Sequence, residues 1–291
     1  MTIVITGATG QLGRLVVEAL LESGLPAEQI VAAGRTVDRI ADLGERGVQV
    51  RTIDYSQPES LRQAFAGADK VLLVSGSEVG QRVEQHRNAI HAAKEAGVGL
   101  IGYTSIANAD TTAMQLAAEH IATEDILRDS GVPFVLLRNG WYLENYTGQF
   151  PVQVQHGAVF GSAGDGRVSA ASRADYAAAA AAVLLRDDQG GKVYELGGDN
   201  AFTLSELAGE VSAASGKPVA YRDLPAEQYT EVLVGAGLPE PYAAILADSD
   251  LGIARGDLLV TSGDLSALLG RPTTPLREAV QAAAAVSPQA S

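Results

Sequence analysis

The sequence has no cysteine in its 291 residues, which excludes disulfides, thiolate metal sites and a cysteine nucleophile. Basic residues are scarce: 21 Lys and Arg stand against 35 Asp and Glu, a net charge of −14. That balance argues against a nucleic-acid or anionic-membrane partner, and an anionic ligand needs a local basic patch. Long apolar runs are missing too. The longest aliphatic stretch, Ala177–Leu185, has nine residues, whereas a membrane span needs about twenty. No basic and apolar leader precedes the first strand-like segment, so a cytoplasmic protein is expected. The patterns G-x-S-x-G, H-E-x-x-H and G-x-x-x-x-G-K-[ST] are absent, and with them the common hydrolase, zinc-protease and P-loop chemistries. His86 and His91 do not share a helical face, so no metal site is expected.

What the chain does have is glycine in a telling place. The segment T-I-V-I-T at 2–6 is short and β-branched, and G-A-T-G-Q-L-G at 7–13 follows it directly. After it, Leu12, Leu15, Val16, Ala19 and Leu20 fall on one helical face, and Gly24 ends the pattern. A strand, glycine turn and helix in that order let a pyrophosphate approach unpaired N–H groups at the helix start. Gly7 and Gly10 would form the turn and cradle, and Gly13 would let the helix pack closely. The spacing G-x-x-G-x-x-G differs from G-x-G-x-x-G. After the next strand-like segment, I-V-A-A-G-R at 30–35, Arg35 stands where an acidic residue would hold the ribose of NAD. A guanidinium there pairs with the 2′-phosphate of NADP, so NADP(H) is the expected cofactor.

Further strand-like segments at 48–55, 70–76, 98–105 and 133–140 alternate with helical stretches. Alternation of this kind predicts an α/β fold, a Rossmann-type doubly wound parallel sheet with ligands at the carboxyl ends of its strands. Those ends offer Asp54, Tyr55, Ser75 to Ser77, Thr104, Ser105 and Asn139 to Tyr142. Past residue 150 the alternation loosens. Residues 1–150 read as the nucleotide-binding domain. Residues 151–291 complete the sheet with a strand at 192–198 and form a smaller, mostly helical substrate lobe. In that part G-A-V-F-G and G-D-G read as glycine-rich turns, the capping box T-L-S-E at 203–206 opens a helix, and prolines and glycines interrupt short helical patterns from Leu224 to Leu259.

The Tyr-x-x-x-Lys pair of classical short-chain dehydrogenases is absent. None of the nine tyrosines has a lysine four residues later, and the helical stretch 114–129 carries His120 and no lysine. Carbonyl reduction by the usual tyrosine acid is therefore not expected.

The sequence resembles the NmrA-like branch of the atypical short-chain dehydrogenases, and within it the NADPH-dependent type 2 quinone oxidoreductases. The resemblance spans nearly the whole chain. It rests on I-T-G-A-T-G-Q-L-G at 5–13, S-E-V-G-Q-R at 77–82, Q-H-R-N at 85–88, Y-T-S at 103–105 and A-x-E-H-I-x-T-E at 117–124. It continues in L-L-R-N-G-W-Y-x-E-N-Y at 136–146, S-R-A-D-Y at 172–176 and A-D-S-D at 247–250. The resemblance implies two-electron reduction of a small-molecule quinone by NADPH without flavin, and it permits a homodimer. It places Gly7, Thr9, Gly10, Gln11, Leu12, Gly13 and Arg35 at the phosphate and adenosine end of the cofactor. Val74, Ser75, Gly76, Ser77, Asn139, Gly140, Trp141, Tyr142 and Arg173 fall at the nicotinamide end. Asn139, Tyr142 and Tyr103 are candidate donors to the developing hydroquinone oxygens, with His120 nearby. The same branch holds NADP-binding redox sensors without turnover, an alternative that the missing catalytic pair does not separate.

Overall fold

The computed structural model describes residues 1–76 and 78–287. Seven strands form one wholly parallel sheet: β1 Ile3–Ile5, β2 Ile30–Gly34, β3 Gln49–Thr52, β4 Lys70–Leu73, β5 Leu100–Ile106, β6 Phe134–Asn139 and, numbered in chain order, β8 Val193–Leu196. Their order is β3-β2-β1-β4-β5-β6-β8, so the chain winds outward from β1 in one direction and then returns to build the other half. The expected doubly wound sheet is the observed one. Strands such as Ile3-Val4-Ile5 are buried throughout because helices cover both faces of the sheet.

The alanine run lies in the helix Arg173–Leu185, which packs on the helix Gln11–Glu22. Ala177, Ala180 and Ala181 share one core cluster with Val16, Val17 and Leu20, and small side chains let the two helices approach closely. Ser172 caps the run by accepting from the Asp175 N–H at 3.0 Å.

Two readings of the C-terminal part need correction. G-A-V-F-G is not merely a turn: Ala158–Gly161 forms β7, which pairs in parallel with β9, Ala220–Asp223. Each strand has four residues, too few for alternation to register against the neighbouring glycines. The prolines after Leu224 do not interrupt helices but start them. Pro225 caps Ala226–Gly235, and Pro239 caps the 16-residue helix Glu240–Arg255, where a missing N–H costs nothing. Gly252, inside that helix, gives close approach, since a Cβ there would sit 2.5 Å from Met114.

The carboxyl ends of β5, β6 and β8 are joined by one buried cation. Arg138 on β6, 3% exposed, donates to both oxygens of Glu124 at 2.9 and 2.7 Å, to Asp110 at 2.6 and 2.8 Å, and to Glu195 on β8 at 2.9 Å. Glu124 is itself only 1% exposed and also accepts from Ser105 at 2.6 Å. Removing Arg138 leaves the buried Glu124 with only the exposed Arg128, 2.8 Å away, whereas removing both members of the buried pair leaves no such undercompensated charge. Arg138→Leu should therefore lower the unfolding free energy by about 3–5 kcal/mol. The double variant with Glu124→Leu should lose less than Arg138→Leu alone, as read from urea midpoints.

Candidate active site

A single cleft of about 1060 Å³ runs over the carboxyl ends of the strands and on into the C-terminal part. At one end the glycine turn sets its floor. Gly7 has φ +61°, and a Cβ on Gly13 would lie 2.4 Å from the Gly7 carbonyl oxygen, so the helix Gln11–Glu22 presses its first turn on the loop only because Gly13 lacks one. Gly10 is the N-cap of that helix and no side chain caps it. Its first N–H groups therefore face the cleft for an anion. Gly34, unforeseen from the sequence, ends β2 where a Cβ would meet Thr9 Oγ1 at 2.7 Å. These approaches fit a dinucleotide pyrophosphate. Arg35, largely exposed, lines the same end and is ion-paired with Glu78. Asp54 and Tyr55 also line it.

In the middle, the segment after β4 is held from behind. The Gly76 N–H donates to His86 Nε2 at 3.0 Å, and Arg82 Nε donates to the Gly76 carbonyl at 2.7 Å. Because Nε2 accepts, the His86 proton is on Nδ1 and is shared with Thr123 Oγ1 at 3.0 Å. Burial, and next the charge of Arg82, push His86 down to about 3, so this tautomer persists at neutral pH. His86 is thus a support for the loop, a role its sequence position did not reveal. Val74, Ser75 and Gly76 line the cleft, while Ser77 lies outside the described residues.

His120 also lines the cleft, 6% exposed. Burial, then the charges of Arg82 and His86, hold it well below the ordinary histidine value. It is a neutral hydrogen-bonding group rather than an acid. Tyr103 does not reach the cleft: it is fully buried, and its hydroxyl pairs with His120 Nδ1 at 2.8 Å. The expectation that Tyr103 faces the substrate is corrected, because Tyr103 lies mid-strand on β5, packed under His86 and His120, whereas Ser105 on the same face is near enough to the strand end to reach the cleft. Thr104 is likewise buried and accepts from the Ser75 N–H at 2.8 Å.

Asn139, Gly140, Trp141, Tyr142 and Arg173 come together on the opposite wall. The Asn139 side chain is 5% exposed and its oxygen has no hydrogen-bond partner. Gly140 leaves room for the Leu196 and Ser169 carbonyls, at 3.1 and 3.2 Å from where its Cβ would be. The Arg173 guanidinium lies 4.4 Å over the Tyr142 ring and is anchored by Asn145 Oδ1 at 3.1 Å. Burial raises Tyr142 above the ordinary phenol value, against the neighbouring Asn139 amide and Arg173. Tyr55 and Tyr103 are raised mainly by burial as well. No lysine stands beside these phenols to lower them, so the site holds hydrogen-bonding tyrosines and no activated tyrosine acid.

Sequence reasoning missed Arg82, Gln85, Tyr146, Gln153, Tyr229 and Asp250, all of which line the cleft. For Asp250 a signal existed. It falls on the helix face that buries Ala243, Ala247 and Ile253, and a carboxylate on an apolar face asks for an explanation.

Comparison with known proteins places the chain in a family. Residues 1–251 match the NmrA-like family. Quinone oxidoreductase 2 of Escherichia coli is 51% identical over 278 residues, 96% of this chain and 97% of its own length. The crystal structure of the Escherichia coli NADPH-dependent quinone oxidoreductase complexed with NADPH superposes with a TM-score of 0.93 at 50% identity, covering 97% of this chain and 99% of that one. Triphenylmethane reductase from Citrobacter sp. gives 0.92 at 40% identity, over 98% and 100%.

The position of Arg35 yields a binding prediction. Arg35→Ala should weaken NADPH about 10- to 100-fold, the worth of a charge-assisted hydrogen bond or two, and leave NADH nearly unchanged. Equilibrium fluorescence titration with each nucleotide checks this, and equal losses for both would remove the 2′-phosphate role.

Proposed function

The chain belongs to the NmrA-like family, and from that premise we propose that it is an NADPH-dependent quinone oxidoreductase that works without flavin. The observation that carries the reading is the near-full-length identity to quinone oxidoreductase 2, joined to a glycine cradle that fits the NADPH pyrophosphate. Bound NADPH supplies the hydride. The protein's own task is placement. Gly7, Gly10 and Gly13 admit the diphosphate, Thr9, Gln11 and Leu12 line it, and Arg35 takes the 2′-phosphate by releasing Glu78.

A quinone is electron-poor and accepts hydride readily, so orientation at near-attack distance does most of the work. This matches a site whose tyrosines are held above the ordinary phenol value by burial. As electrons arrive, negative charge develops on a quinone oxygen. The Asn139 amide, buried beside Tyr142, is placed to hydrogen-bond it, and water is kept away by Trp141 and by the helices of the C-terminal lobe. Arg173 fixes the Tyr142 ring by lying over its face. His120, neutral, adds a polar contact and no proton. These placements favour an enzyme over a sensor, because a cleft that continues well past the cofactor end has room for a second reactant.

With NADPH and 1,4-naphthoquinone the protein should oxidise NADPH rapidly over an enzyme-free control, and NADH far more slowly. Asn139→Ala should lower kcat by about 10²-fold, the cost of one preorganised donor, and Tyr142→Phe by less. Wild-type kcat in both variants, with circular dichroism unchanged, would remove those roles. NADPH bound tightly yet not consumed with any quinone would favour the redox sensor.

A further inference from the structure

Beyond Tyr142 the cleft continues into the C-terminal lobe, between β7 and the helices Ala226–Gly235 and Glu240–Arg255. Val159, Phe160 and Leu233 make its wall apolar. Polar groups set into this wall lack partners. The Tyr146 hydroxyl and Gln153 Oε1 are both buried without a hydrogen bond, and Tyr229 and Asp250 line the same end.

Asp250 is 7% exposed, and its place is shaped for it. Its Oδ2 accepts from the Ser162 N–H at 2.8 Å. A Cβ on Gly161 would lie 2.6 Å from that oxygen, so only glycine before Ser162 leaves the carboxyl its room. Among the described residues no lysine or arginine pairs with Asp250. The groups facing it are Tyr146 from the turn after β6, Tyr221 and Asp223 on β9, and Tyr229. None is a cation. Burial pushes Asp250 up to about 7, the nearby negative charge of Asp223 adds to this, and the Ser162 N–H acts against it.

Tyr142 is held in a bridge to Ala171, and the short helix Glu144–Thr147 that follows carries Tyr146, the Asn145 N–H bonding to the Tyr142 carbonyl at 3.0 Å. The one cleft thus carries polar groups at Asn139 and Tyr142 and a second set at Tyr146, Tyr229 and Asp250.

We propose that this second cluster receives the quinone oxygen remote from the cofactor, and that the Asp250 carboxyl donates to it the proton that completes the reduction. The proposal rests on the quinone reductase reading. Hydride brings one hydrogen and both electrons to the quinone, leaving a hydroquinone monoanion. The Asp250 O–H bond breaks, its proton forms the second hydroquinone O–H, and Asp250 is left as a carboxylate that regains a proton from water. The sum consumes one NADPH and one proton for each quinone. Tyr146 and Tyr229 hold the oxygen by hydrogen bonds.

The test compares wild type, Asp250→Asn and Tyr146→Phe with NADPH and 1,4-naphthoquinone across the neutral pH range, alongside an infrared titration of the cofactor-free proteins. Because the protonated carboxyl is the donor, wild-type kcat should fall as pH rises through the Asp250 titration. Asp250→Asn keeps an acceptor for the Ser162 N–H, so it should fold. It should lose that pH limb and about 10²-fold in kcat, the scale of general-acid catalysis. Tyr146→Phe should raise KM and keep the limb. The infrared band of a protonated carboxyl should titrate near neutrality in wild type and be absent from Asp250→Asn. An Asp250→Asn enzyme with wild-type kcat or an unchanged pH limb overturns the proposal alone, and so does a carboxyl ionised throughout. A wild type that turns over no quinone overturns the functional reading and this proposal with it.

Discussion

The cleft depends on a guanidinium that never touches it. Arg138 binds three carboxylates drawn from the loop after β5, the helix Ala117–Ser130 and β8, and the residue after it on β6 is Asn139. Alternation along a strand makes neighbours face opposite ways, so the charge hub on one face fixes the backbone that presents Asn139 and Gly140 on the other. Glu124, held by this arginine, also holds Ser105. Glu195 in turn accepts from the Asn108 N–H at 2.9 Å. The carboxyl ends of β5, β6 and β8 are therefore one unit. A buried pair of this kind is a weak source of net stability, but it is intolerant of partial loss. Here its value is geometric.

Around that unit the protein keeps its titratable groups in unreactive states. His86 and His120 are held neutral by burial and by Arg82, and the tyrosines are kept protonated by burial. A carbonyl reductase needs the opposite, an activated acid. An electron-poor ring does not need one beside the nicotinamide to accept hydride, and that end of the site can then serve by rigidity and by donors already in place. Asp250 is the group that burial brings toward neutrality, and it lies at the far end of the cleft.

Some of this was legible in the chain. The strand, glycine turn and helix at 2–24, the alternation through residue 140 and the strand at 192–198 follow from local patterns, and they give all seven strands of the parallel sheet. Arg35 and the N-G-W-Y segment were visible because they sit at strand ends, where a parallel sheet exposes its ligand positions. The shorter β7 and β9 were hidden by glycines, and the helices after Pro225 and Pro239 by prolines that start rather than stop them.

What the sequence determined by itself was the architecture and the proposed cofactor end, because both depend on residues near one another in the chain: periodicity, turn glycines, and a cation at a strand end. Only the tertiary structure decided which side chains share the cleft. It turned Tyr103 inward and made His86 a support for Gly76. It also set Asp250 against Gly161 and Ser162, 88 residues away from Ser162 in the chain. Whether a carboxyl is an exposed anion or a buried acid depends on what surrounds it, and those surroundings come from strands and helices distant in sequence.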